Sequence, residues 1–219
     1  QQKLLKRLMS LIKDIILLIV IYLPGKTGIT LRNIIYKRKF KSYGKNIVIQ
    51  PGVVFIGYEN ISIGDNVTID HNCLIESGDK LLGKIINKSN EDIDHQIIIE
   101  NNIHICRDSQ LIGYGGLHIE NNCVLSSGCK LYSLSNMPND PDDKRKIISL
   151  MPYNESIFYI GRIVLEKNVW LGLNVIVMPN IKIGRDSFVS SNSIVLNDLS
   201  ENSHAKGSPT NQIKNRFEE

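Results

Sequence analysis

Aliphatic residues recur every six positions at Leu165, Leu171, Val177, Ile183, Val189 and Val195, unbroken across thirty-one residues. A period of six fits neither the 3.6-residue turn of an α-helix nor the two-residue alternation of an isolated strand. It fits a chain that carries each anchor inward on a short strand, turns and repeats, so that three edges close one triangular coil of eighteen residues. The register occurs earlier at Ile63, Ile69 and Ile75, at Ile99, Ile105, Leu111 and Leu117, and at Ile119, Leu125 and Leu131.

Four positions after most anchors stands a compact residue: Val67, Cys73, Ile103, Ser109, Cys123, Cys129, Val169, Val175, Ile181, Ser187 or Ser193. The cysteines thereby acquire a packing role. With no CxxC pair and no His at ligand spacing, they signal neither a zinc site nor a disulfide framework and read as reduced thiols. Asp65-Asn66, Asn101-Asn102, Asn121-Asn122 and Arg185-Asp186 supply the turns. The expected fold is all-β, a parallel β-helix over residues 46–200 with an N-terminal amphipathic α-helical segment over 1–45 and a tail over 201–219. A hydrophobic content of 42% suits one compact domain. Residues 76–98 and 134–162 break the register and are expected to protrude as loops, the kind of segment that carries function on a regular scaffold.

The first forty-five residues hold eleven Lys or Arg against Asp14 alone, a net +10 in a chain of net +4, so the rest carries −6. The longest uncharged run there, Ile15 to Gly25, is eleven residues, about half of what a membrane span needs. No small-residue cleavage motif follows it. Two readings stand together: a helix lying in a membrane interface, with Lys37, Arg38, Lys39 and Lys41 meeting anionic lipid, and a helix capping the open end of the coil. The expected location is cytoplasmic, peripheral on the inner face of a bacterial cytoplasmic membrane. A nucleic-acid role is not expected, since the basic residues lack interleaved aromatics.

The chain resembles the hexapeptide-repeat acyltransferases, in particular the branch of maltose, galactoside and polysaccharide O-acetyltransferases, over roughly residues 44–216. The resemblance rests on Val164-Leu165-Glu166-Lys167-Asn168-Val169-Trp170-Leu171-Gly172, on Val177-Met178-Pro179-Asn180-Ile181-Lys182-Ile183-Gly184, and on Gly207-Ser208-Pro209-Thr210. It implies a left-handed coil, a homotrimer with active sites between neighbouring copies, acetyl-CoA as acyl donor, a saccharide acceptor and no metal. The absence of an H-x-x-x-x-H pair weighs against the zinc-binding carbonic-anhydrase relatives. Carried over position by position, it puts Trp170, Gly172, Leu173, Ser190 and Ser191 along the pantetheine and Lys206, Lys214 and Arg216 near the phosphates, Asn197 and Asn211 standing where relatives often carry Lys or Arg. A backbone N–H between Gly172 and Asn174 would hold the oxyanion. Trp170 has the alternative of a packing aromatic at a trimer contact, and the three cations that of a solvated tail.

The family's catalytic His aligns with Asn136, which cannot act as a base, and a missing base costs roughly 10²- to 10⁴-fold. Four accounts compete: the base stands elsewhere, with Asp108 and His118 as candidates; the acceptor is an amine; the chain is inactivated; or it binds without catalysing. Asp108 otherwise reads as a turn residue, His118, His104 and His71 as surface positions on the wall, and His95 and His204 as solvated. O-acetylation of a sugar hydroxyl on a cell-surface polysaccharide or its lipid-linked precursor is the leading expectation. N-acetylation of an amino sugar is the runner-up, and a non-catalytic glycan- or partner-binding relative the third.

Overall fold

The computed structural model describes residues 2–78, 84–87, 94–139, 141–143 and 155–218. Strands of two to six residues stack into three walls. The first wall runs through Ser42–Tyr43, Ile61–Ile63, Ile97–Ile99, Leu117–Ile119, Ile163–Leu165 and Ile181–Ile183, all parallel. The second starts at Val48–Ile49 and climbs through Thr68–Ile69, His104–Ile105, Val124–Leu125, Trp170–Leu171 and Phe188–Val189 to an antiparallel hairpin of Ser203–Gly207 and Thr210–Asn215. The third runs from Val54–Ile56 to Ile194–Val195. This is a left-handed parallel β-helix.

Every predicted anchor is at most 2% exposed, and the compact residues behind them at most 4%. Each fully buried aliphatic side chain contributes roughly 1.5–3 kcal/mol, which offsets the cost of ordering strands too short to persist alone. The period of eighteen holds only in the upper coils, where Ile163 pairs with Ile181. Lower down Leu117 pairs with Ile97, twenty residues away, because the corner between third and first walls takes two extra residues at Gly57–Asn60 and Gly113–Gly116. That longer corner explains why the sequence register slips there, from Leu117 to Ile119.

The other two corners are tight and left-handed. At the first, Asn46, Asn66, Asn102, Asn122, Asn168 and Asp186 hold φ between 54° and 64°. Their side chains form one ladder, each amide donating to the next coil's side-chain oxygen at 2.7–3.1 Å. At the second corner, Gly52 and Gly128 fill places where a Cβ would approach a neighbouring Asn Oδ1 to 2.3 and 2.2 Å.

Both ends differ from the expected boundaries. The coil begins at Ser42 rather than residue 46, since Ser42–Tyr43 already pairs with the first wall. Residues 203–215 are the top of the second wall rather than a tail outside it, because the hairpin satisfies strand edges that would otherwise be open. At the bottom, helix α1 (Gln2–Tyr22) ends at Pro24 and α2 (Gly25–Tyr36) follows. Tyr36 and Phe40 pack on Phe55 and Tyr58 and close the core, so capping belongs to α2. Arg32, fully buried, donates from Nη1 to the carbonyls of Val20 and Leu23 at the end of α1 and from Nε to Ile49. A cation at a helix C-terminus is favourable, and here it stitches both helices to the first coil.

Candidate active site

Both register breaks leave the coil at the third corner. Their described parts do not remain separate loops. Lys84–Asn87 from the first pairs parallel with Ile157–Ile160 of the second, which pairs antiparallel with Leu134–Asn136. The segments 79–83, 88–93 and 144–154, including Lys80 to Gly83 and most of Asn87 to His95, lie outside the described residues. Gly161 returns the chain to the wall so closely that a Cβ would stand 2.5 Å from the Asn180 Cβ.

Between this outer sheet and the upper coils lies a cleft of about 510 Å³, lined by Ser135, Tyr159, Met178, Pro179, Asn180, Ile181, Leu196, Asn197 and Asp198. Ser135 and Tyr159 are cross-strand partners, and burial raises the Tyr159 phenol above its ordinary range. Asp198 is the one carboxylate among the lining residues, and its Oδ1 accepts the Lys182 N–H at 2.8 Å. Asn136 is exposed on the strand beside Ser135, opposite Phe158.

The residues expected to hold acyl donor sit elsewhere, on the second wall and its upper corner. Trp170, Phe188, His204 and Lys214 occupy one outward row in successive strands. The Trp170 and Phe188 rings meet edge-on at 5.4 Å, and the Trp170 Nε1–H donates to Ser126 Oγ at 3.0 Å. Half-exposed Trp170 and exposed Leu173 make an apolar strip, and Lys206 and Lys214 stand exposed on the hairpin above it. Ser190 Oγ lies 2.9 Å from His204 Nε2, so His204 is partnered rather than solvated. Arg216 departs from the expected set, because its Nη1 donates to the Asp186 carbonyl at 2.9 Å over the first corner.

The expected oxyanion donor also needs correction. Gly172 N–H donates to Val189 O at 2.8 Å and Asn174 N–H to Ser127 O at 2.9 Å, both within the stacked coils. Leu173 N–H is held by a side chain, Ser191 Oγ, at 3.0 Å, and a hydroxyl can rotate away. Of the three, only Leu173 N–H can be released without opening the coil.

Neither alternative base reaches the cleft. Asp108 has φ 61° at the second corner, where it accepts the Asn72 amide at 3.3 Å; it is the turn residue its position also suggested, on a different edge from Asn136. His118 points outward from the first wall and pairs with Glu100 at 2.8 Å. His95, expected to be solvated, is partly buried at the root of the first insertion. Its Nδ1 lies 2.6 Å from the Tyr114 carbonyl, which can only accept, so Nδ1 carries a proton and donates it. Tyr114 donates to Glu76 at 2.7 Å and Ser77 to the His95 carbonyl. The polar neighbourhood of His95 hid this in the sequence; the glycine-rich Gly113–Gly116 turn opposite it was the available signal.

Among the described residues, one cluster has metal-ligand chemistry. Asp70, His104 and Cys106 on the second wall bring a carboxylate oxygen, Nε2 and Sγ within 4.8 Å of one another. Asp70 already engages His104 at 3.1 Å. Asp70 lies 34 residues from His104, a separation that no ligand-spacing rule covers.

No family model matches the chain. It is 27% identical over 177 residues to the dTDP-4-amino-4,6-dideoxy-D-glucose acyltransferase of Escherichia coli, covering 81% of this chain and 83% of that protein. A shorter stretch of 51 residues is 41% identical to the galactoside O-acetyltransferase of Lactococcus lactis, 23% of this chain and 25% of that one. Among solved structures, a variant of AntD, an N-acyltransferase from Bacillus cereus in complex with dTDP and coenzyme A, superposes with a TM-score of 0.65 at 25% identity, over 84% of this chain and 89% of that one. The hexapeptide-repeat acetyltransferase VCA0836 of Vibrio cholerae gives 0.51 at 20% identity, over 85% and 79%. The homologues of this chain are thus acetyltransferases of the hexapeptide-repeat family, and the coil it shares with them is that family's left-handed β-helix.

Proposed function

We propose that the protein transfers an acyl group, acetyl in the simplest case, from acyl-coenzyme A to the amino group of a sugar carried on a nucleotide. The observation that carries this reading is the cleft beside Asn136, which presents no imidazole among its described lining residues. A hydroxyl must lose its proton to become a nucleophile, whereas a neutral amine already holds a lone pair. That the E. coli relative and AntD are acyltransferases of or bound to such amino-sugar chemistry supports it.

In this reading the amine lone pair bonds to the thioester carbonyl carbon, the C–S bond breaks, coenzyme A leaves as thiolate, and the nitrogen gives its proton to solvent. Trp170, Gly172, Leu173 and Ser190 line the donor's path, and Lys206 and Lys214 bring charge to its phosphates. Leu173 N–H, released by Ser191, is the oxyanion donor. The cleft holds the acceptor, with Ser135, Tyr159 and Asn180 as hydrogen-bonding groups. Donor row and cleft stand on different edges of the triangular coil, separated by the third wall. A homotrimer setting the second-wall edge of one copy against the cleft of the next completes the site.

The test is thiol release from acetyl-CoA with a dTDP-4-amino sugar and with its 4-hydroxy counterpart. The amine alone should react, at a rate climbing with pH as the ammonium deprotonates. Asn136→His should leave that rate within a few-fold and add transfer to the hydroxyl. Equal turnover of the hydroxyl sugar by the unaltered chain would overturn the reading, and no thiol release with either would make it a binding relative. O-acetylation is the second reading, supported by the 41% identity over 51 residues to a galactoside O-acetyltransferase, and turnover of the hydroxyl sugar by the unaltered chain would favour it.

A further inference from the structure

Helix α1 points its apolar side away from the protein. Leu8, Met9, Leu11, Ile12, Ile15, Ile16, Leu18, Ile19 and Tyr22 are each between 48% and 58% exposed. At about 100° per residue these nine positions occupy one contiguous half of the helix circumference. Toward the body, Val20 is buried and Leu17 and Ile21 are partly covered, while Arg7 and Asp14 are exposed on the same half. A helix that buried its apolar stripe against its own coil would show the reverse. An exposed face of this kind marks a surface that is covered in use.

The surrounding charge selects the cover. The first forty-five residues carry net +10, with exposed Lys26 in the first turn of α2 and exposed Lys37 and Arg38 just after its end. Lys39 lines the same groove as Ile16 and Val20, which brings the basic segment against α1. A second copy would bring an equal positive charge and be repelled, whereas an anionic lipid surface is attracted. No described helix is long and apolar enough to cross a membrane, and Arg7 and Asp14 interrupt α1.

We propose that α1 lies in the plane of an anionic lipid surface, its solvent-facing apolar half among the acyl chains and the basic residues around α2 against the headgroups. Arg32, by tying the last carbonyls of α1 to Ile49, fixes the coil to that surface rather than leaving it on a loose tether. The acceptor-modifying edge is thereby held at a constant orientation to the membrane.

Flotation of the full chain with vesicles of phosphatidylcholine, and of phosphatidylcholine with phosphatidylglycerol, tests this. Binding should require the anionic lipid and weaken as salt is added. Leu11→Gln, Ile15→Gln and Ile19→Gln together should lower affinity roughly a hundredfold, at unchanged thermal unfolding since all three are exposed. Lys26→Gln, Lys37→Gln and Arg38→Gln together should do the same on anionic vesicles only. Equal binding to both vesicle types would overturn the charge argument. Absence of vesicle binding, with self-association lost in the glutamine variants of α1, would assign the face to a second copy and overturn the proposal.

Discussion

Asn122 shows how a single residue can be required twice over. Its φ of 64° lies in the left-handed region, which costs an ordinary L-residue roughly 1–2 kcal/mol, and its amide links Asn102 below to Asn168 above. Asn122→Gly therefore loses the ladder but keeps the backbone, and should cost about 1 kcal/mol; Asn122→Ala loses both, about 2 kcal/mol, read from urea unfolding midpoints. The asparagine pairs are visible in sequence as turn formers, but the ladder is not, because its rungs are 18, 20, 36 or 46 residues apart according to what lies between the coils. The same limit hid His95. Its tautomer depends on a carbonyl nineteen residues away, which only the closure of the third corner brings to it.

At the scale of elements, the compact position behind each anchor explains the thiols. Cys73, Cys123 and Cys129 are buried beneath the corners and donate to backbone carbonyls at 3.1–3.2 Å. Burial pushes all three up to about 12 from an ordinary value of 9.0. Cys106, partly exposed beside His104, should be the one thiol that labels in the native protein. The linkage has a definite sign. Above pH 9 the unfolded chain loses thiol protons that the folded chain retains, so stability is complete below that pH and falls as pH rises from 9 toward 12. Thermal unfolding at pH 8 and pH 10.5 should show the drop, and serine in place of the three should flatten it. The thiols' packing role was legible from the six-residue period; the pairing of the two insertions into one small sheet was not, because Lys84–Asn87 finds its partner, Ile157–Ile160, in the other insertion, some seventy residues along the chain.

For the whole molecule, the consequence is a division of labour between edges. If the donor row works with a neighbour's cleft, Leu173→Arg, which obstructs the row, and Ser135→Trp, which fills the cleft, should each abolish transfer alone. Denatured together and refolded as mixed assemblies, they should recover about a quarter of the unaltered rate, the share of contacts at which an intact row meets an intact cleft by random pairing. A site completed within one chain would recover nothing, since every chain then carries a defect.

The sequence alone determined the coil, its anchors, its turns and the points at which it is interrupted. These follow from a local period that each hexad states for itself. The twenty-residue length of the lower coils, the two ends and the availability of each site group were decided by stacking. Whether Gly172 N–H is free, whether Asp108 reaches a cleft, and which half of α1 meets solvent all depend on neighbours whose distance along the chain varies with the insertions between them. Burial and hydrogen bonding are properties of those neighbours in space, so only the tertiary structure assigns them.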